Sequence, residues 1–254
     1  MACIHNVFLR GLNAIYLQAP HIQPADAKSF CAFVTNWHAL LTLHHTAEED
    51  DGFPLIEEMA GEKGIMDANV QQHHAFLEGL DALDRYVKAC GAGKEKYEGG
   101  KVVAMIDGFG KELAVHLADE IPTIEGLRKY GEKMAGLRSV FEREAKRNEV
   151  SPLLVLSRPI AMTCFRIHDA RTNANFTLQA QATLASLCLL FTSHDVGFEG
   201  GLWADWPAIP GPVKFMARNV LMPWYSNIVK FAPCDKHGKL RPLYAVADVA
   251  GSES

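Results

Sequence analysis

The stretch from residue 30 to residue 54, FCAFVTNWHALLTLHHTAEEDDGFP, decides how this chain folds. Phe30, Phe33, Val34, Trp37, Leu40 and Leu41 recur at helical spacing, and the next residues on that face are His44 and Glu48. The inward side of a helix therefore turns from apolar packing into donors of the kind that hold metal. A later stripe repeats the pattern, with Val102, Met105, Ile106, Phe109 and Leu113 leading to His116 and then Glu120. Spacing of four places two side chains one turn apart on one face, so an imidazole nitrogen and a carboxylate oxygen can converge on one ion.

Two further helices flank these. Helix A is expected from about His5 to Ala19, ending before Pro20, with Phe8, Leu12, Ile15 and Tyr16 inward. Helix B opens near Pro24 and Asp26 and runs to about Asp51, where Gly52 and Pro54 stop it. Helix C spans roughly Met66 to Ala89, with Val70, His73, Phe76, Leu77, Leu80, Leu83 and Val87 inward. Helix D covers about Lys101 to Asp119, before Ile121-Pro122. Short connections favour antiparallel neighbours, hence an all-α, up-down-up-down four-helix bundle. In that arrangement the start of A, the end of B, the start of C and the end of D share one layer. His5, His44, Glu48, His73, His116 and Glu120 all fall in it. Left without a ligand, polar groups on core faces would each cost several kcal/mol to bury. Tyr16 and Trp37 read as packing residues, and His21, His38, His168 and His237 as surface or loop positions.

Composition narrows the function. The 254 residues are 48% hydrophobic, enough for a substantial core, and a net charge of −5 with no basic cluster argues against nucleic acid. No apolar run reaches membrane-spanning length without charge, and the amphipathic start MACIHNVFLRGLNAIYL does not read as a signal peptide. The six cysteines (Cys3, Cys31, Cys90, Cys164, Cys188 and Cys234) form no CxxC pair, so free thiols in a reducing cytoplasm are expected. Six nitrogen and oxygen donors, two of them carboxylates able to bridge, suit a pair of first-row ions, and these donors alone would accept iron, manganese or zinc.

Four segments then carry a resemblance: His5-Asn6 with RGLNAIYLQAP, HHTAEEDDGFPLIEE at 44–58, NVQQHHAFLEGL at 69–80 and HLADEI at 116–121. Together they resemble the hemerythrin-like, HHE cation-binding family, particularly its branch in fungi and plants. The resemblance implies a metal-binding bundle over residues 1–125, iron as a di-iron centre, and His44 rather than His45 as the ligand paired with Glu48. His45 and Glu49 form a second four-spaced pair one residue out of register. On helix C, oxygen-carrying relatives have His-x-x-x-His where this chain has His73 and Leu77, so one ligand is missing; Glu78, His74 or water could replace it.

Residues 126–254 read as a mostly helical or irregular C-terminal extension covering the bundle. At its start, 123–149 look like another amphipathic helix, and about 157–184 have no counterpart in the family. His194-Asp195 and Glu199 read as turn-forming rather than as gating groups. Two functional classes follow. One is a non-haem di-iron protein that binds dioxygen or iron as carrier, store or sensor. The other is an oxidoreductase that activates dioxygen on a small-molecule substrate, for example in fungal secondary metabolism, with the extension supplying walls for that substrate. A weaker third is a protein whose ions only hold the helices together.

Overall fold

The computed structural model describes residues 1–137 and 184–246. Four helical arms form the bundle. α1 is Ala2–Gln18, followed by a tight turn at Ala19–His21. α2 is Ala27–Ala47, passing through a widened turn at Glu48–Gly52 into α3, Phe53–Ala60. α4 is Asp67–Gly91. The fourth arm is α5, Gly99–Asp107, and α6, Gly110–Gly126. α2 packs on α1 and α4, and α6 packs on the same two, so α1 and α4 face each other diagonally across the core. Among the described residues there is no strand, only a single bridge between Cys234 and Leu240. No helix among them is long and apolar enough to cross a membrane.

Three expected boundaries are corrected. The second helix does not stop at Gly52-Pro54. Pro54 takes a first-turn position of α3, where its missing N–H costs nothing, and the arm ends only at Gly61, whose φ of 72° suits glycine. Helix D is two helices. Phe109, with φ −138°, leaves the helical region between Gly108 and Gly110 so that its ring is buried against Gly79, where a Cβ would stand 2.9 Å from Phe109 Cβ. Ile121-Pro122 does not end the last arm either; Pro122 lies inside α6, at the loss of one backbone hydrogen bond. Of the amphipathic helix expected over 123–149, residues 123–126 belong to α6 and Leu127–Met134 form a 3₁₀ segment interrupted at Gly131, while 138–149 lie outside the described residues. The segment without a family counterpart, 157–184, also lies outside them except for Leu184.

The core runs the length of the bundle through Phe8, Leu12, Ile15, Phe30, Phe33, Trp37, Leu41, Phe76, Leu80, Leu83, Ile106, Phe109, Leu113 and Leu117. Gly11 lets α1 and α2 close together. The Trp37 indole lies where a Cβ on residue 11 would be, and its Nε1 donates to Phe8 O at 3.1 Å. Leu77, expected inward, is 42% exposed, whereas Phe76 and Leu80 on either side of it are buried.

The extension begins in the described residues with a helix, α7, over 184–193, and continues through α8, Gly211–Met216, to short helical turns ending at Val229. It has its own small core of Leu187, Cys188, Phe191, Ile209, Ala217, Leu221 and Met222. It also reaches the bundle. Phe231 stacks edge-on against Phe30 at 5.2 Å, and buried Gln18 donates to Phe231 O and accepts from Ala245 N. Lys230 pairs with Asp26 at 2.5 Å. These contacts sit where α1 ends and α2 begins, at the end of the bundle opposite the expected ligand layer.

Candidate metal centre

At the other end, histidines and glutamates from all four arms face one another. Among the described residues, two groups could each hold an ion: His45, Glu48, His73 and His116, and His5, His44, Glu48 and Glu120. Each residue offers a donor atom within 4.8 Å of the others in its group. Glu48 belongs to both. Its Oε1 lies 3.0 Å from His44 Nε2 and its Oε2 lies 3.8 Å from His73 Nε2, so one oxygen faces each group. Glu120 Oε2 is 3.1 Å from His5 Nε2.

All six residues expected from the sequence are therefore brought together, and a seventh joins them. His45 was set aside in favour of His44, yet both enter the site. Neighbours on a helix diverge by about 100°, so when the bundle axis falls between them each can reach a different group. Glu48 carried the clue, being four residues from His44 and three from His45, and both spacings share a face. His45 also supplies the third imidazole that Leu77 does not. Neither replacement named from the sequence does so: His74 and Glu78 are exposed, away from the site.

The widened turn at Glu48–Gly52 directly follows this doublet. Turns of this kind are often found at functional sites, where they re-aim successive side chains. Here Glu48 points into the layer, while Glu49 stands behind His73 with Oε1 2.5 Å from Nδ1.

Contacts behind the rings settle which nitrogen carries the proton. His5 Nδ1 lies 2.7 Å from Leu117 O and His73 Nδ1 lies 2.5 Å from the Glu49 carboxylate, and both partners only accept. His116 Nδ1 donates to Gln72 Oε1 at 3.3 Å. With Nδ1 protonated, Nε2 of each ring presents a lone pair to the interior. His73 Nε2 and His116 Nε2 then stand 3.0 Å apart as two acceptors, which cannot bond each other. A cation resolves this: two ligand atoms about 2.1 Å from one ion and at a right angle to each other are about 3.0 Å apart.

Electrostatics point the same way. Burial, with neighbouring imidazoles adding to it, holds His44 well below its ordinary value, lowers His45, and brings His116 down to about 3. Burial also lowers His73 against the opposing pull of Glu49. Burial first and Glu120 second raise Glu48 well above the usual carboxylate range. Neutral imidazoles are what a metal requires, and a buried carboxylate short of positive charge is what a metal satisfies. Nε2 of His5, His44 and His45 and all four carboxylate oxygens of Glu48 and Glu120 are buried without a hydrogen-bond partner. Aromatic rings pack against the layer: Phe8 against His44, Phe76 against His45 and His116, and Phe53 stacked on His73 at 5.8 Å. Five imidazoles and two carboxylates, with no thiolate, form a donor set for first-row ions.

The remaining polar residues singled out from the sequence lie elsewhere. His194 Nε2 donates to Trp203 O, Asp195 accepts from Gly197 N and pairs with Arg10 at 3.5 Å, and Glu199 accepts from Trp203 Nε1. None belongs to either group of donors. His38, expected on the surface or in a loop, is half-buried between α2 and α4, 3.2 Å from Asp81.

Fold and donor set together define a helical bundle that binds cations, and comparison with known proteins supplies the family. Residues 4–122 match the family model described as Hemerythrin HHE cation binding domain, so this part of the chain is a hemerythrin HHE domain. The match spans the four arms and every donor named above. The chain is also 27% identical, over 244 residues, to the dimeric xanthone biosynthesis cluster protein R11 of Cryptosporiopsis sp. (strain 8999), covering 96% of this chain and 80% of that protein. No solved structure matches the chain.

Proposed function

We propose that the chain is a non-haem di-iron protein whose two ions are held by His5, His44, His45, Glu48, His73, His116 and Glu120, and that dioxygen is what it binds. The observation that carries the reading is the pair of acceptor nitrogens, His73 Nε2 and His116 Nε2, held 3.0 Å apart among carboxylate oxygens that have no other partner. Iron at both subsites would supply one-electron redox chemistry and Lewis acidity toward dioxygen. The protein residues do the rest. Glu48 would help hold both ions, since one of its oxygens faces each group. His45, His73 and His116 make one subsite rich in nitrogen, while His5, His44 and Glu120 make the other richer in oxygen. Each group offers four protein donors, so a first-row ion bound there would have room for an outside ligand. Aromatic rings pack against the layer, and Leu117 O, Glu49 and Gln72 hold the imidazoles in the tautomer that presents Nε2.

A second reading is that the same centre activates dioxygen for oxidation of a small molecule. The relative named for a biosynthesis cluster supports it, because the similarity runs through the extension as well as the bundle.

Metal content together with the visible spectrum of anaerobically reduced protein, before and after air, tests both. Two irons per chain and an oxygen-dependent band that reverses under vacuum are expected for the binding reading. Irreversible oxidation, with turnover of an added small-molecule substrate, would favour the second. No iron, or no response to oxygen, would overturn both.

A further inference from the structure

The imidazoles at the centre are not braced alike. Behind His5 stands a neutral backbone carbonyl, and behind His116 a neutral amide at the longer distance of 3.3 Å. Behind His73 stands a carboxylate, at 2.5 Å. Glu49 can fill this place because it follows Glu48 on the widened turn, so that consecutive carboxylates serve opposite sides of one ring. Its side chain is 35% exposed, whereas His73 is buried, so Glu49 keeps access to water while its acceptor oxygen reaches inward. The contact also ties the end of α2 to the start of α4.

We propose that Glu49 is a positioning residue that makes the two ions unequal: by holding the Nδ1 proton of His73 it strengthens the donor nitrogen of the three-histidine subsite alone. The proposal rests on the two-ion reading above. An anionic acceptor on the far nitrogen draws the N–H proton toward itself and leaves more electron density at Nε2, which binds the ion more tightly and favours the higher oxidation state. Neither a carbonyl nor an amide does this to the same degree. The subsite of His45, His73 and His116 is therefore expected to hold its ion longer under chelation than it would with a neutral brace, and to reduce at a lower potential.

The test compares wild type with Glu49→Gln, which keeps the size and an acceptor oxygen but removes the charge, and Glu49→Ala, which removes the brace. Iron-loaded proteins are challenged with a graded chelator, and their midpoint potentials are measured. Loss of an outer partner of a ligating histidine weakens metal affinity by about 10- to 100-fold. In Glu49→Gln, one of the two irons is expected to leave at about tenfold lower chelator, with an upward shift of one midpoint and the second iron unchanged. Glu49→Ala should show the larger shift. Retention of the second iron and an unchanged helical spectrum certify the fold. A wild type with two irons whose Glu49→Gln variant matches it in retention and potential would overturn the role of Glu49 alone. Equal weakening of both irons would overturn the restriction to one subsite. A wild type that takes up no iron would overturn the two-ion reading and this inference with it.

Discussion

The two ends of the bundle bury polar groups to the same depth and treat them in opposite ways. Where α1 ends, Gln18 is completely buried, and every hydrogen bond it makes is to the protein: its amide nitrogen to Ala14 O at 2.9 Å and Phe231 O at 2.8 Å, its oxygen to Ala245 N at 3.2 Å. Where α1 begins, Glu120 is just as buried, and neither of its oxygens has a hydrogen-bond partner. Folding normally satisfies buried polar atoms from within, because each one left alone costs about 1–3 kcal/mol. One end obeys that rule by recruiting the extension. The other, with seven such atoms converging in one layer, is built to be satisfied from outside the chain.

Substitutions can break this contrast from either side. Glu48→Ala should have the largest effect, with loss of both ions, because Glu48 is shared by both groups. The metal-free melting temperature should hold or rise, since a costly buried carboxylate is gone. Metal content and thermal melts of loaded and stripped protein check both halves. At the far end, Phe30→Ala opens a cavity beneath Phe231 and should cost about 3–5 kcal/mol in denaturant unfolding while leaving ions per folded chain unchanged. Gln18→Leu leaves Phe231 O and Ala245 N unpaired and should cost about 1–3 kcal/mol, again with metal intact. Loss of metal in either variant would show that the ends are not independent.

The pH dependence sharpens the same comparison. Lowered histidines give stability that is present above their ordinary value of 6.5 and is lost as pH falls below it. Glu48, raised from 4.5, gives stability that is present below 4.5 and is lost as pH rises toward its folded value. Metal-free protein should therefore be most stable near the histidine range and weaken on both sides. Bound cations replace the proton on Glu48, so the gap between loaded and stripped melting temperatures should widen from about pH 6.5 to 8. Parallel curves for the two forms would contradict this.

Much of the bundle was legible because its stripes are long and periodic. The Phe30–Leu41 face led straight to His44 and Glu48, and the antiparallel layer gathered His5, His73, His116 and Glu120. The breaks were not legible. Phe109 looks like one more inward residue of a continuous stripe, and only packing against Gly79 shows why the helix parts there. Pro122 looks like a stop, yet tertiary contacts carry α6 past it. His45 was not legible because the resemblance pairs only His44 with Glu48, whereas Glu48 belongs to two groups and each of these neighbouring histidines falls in one of them. Leu77 then looked like a missing ligand, although the third imidazole comes from α2.

The most direct measurement is metal content, by mass spectrometry of iron-loaded and desalted protein, for wild type, His44→Ala and His45→Ala. The account predicts two ions per chain in wild type and one in each variant, with different chelator sensitivities because different subsites survive. A wild type without bound metal, or a His45→Ala protein that keeps both ions, would contradict it.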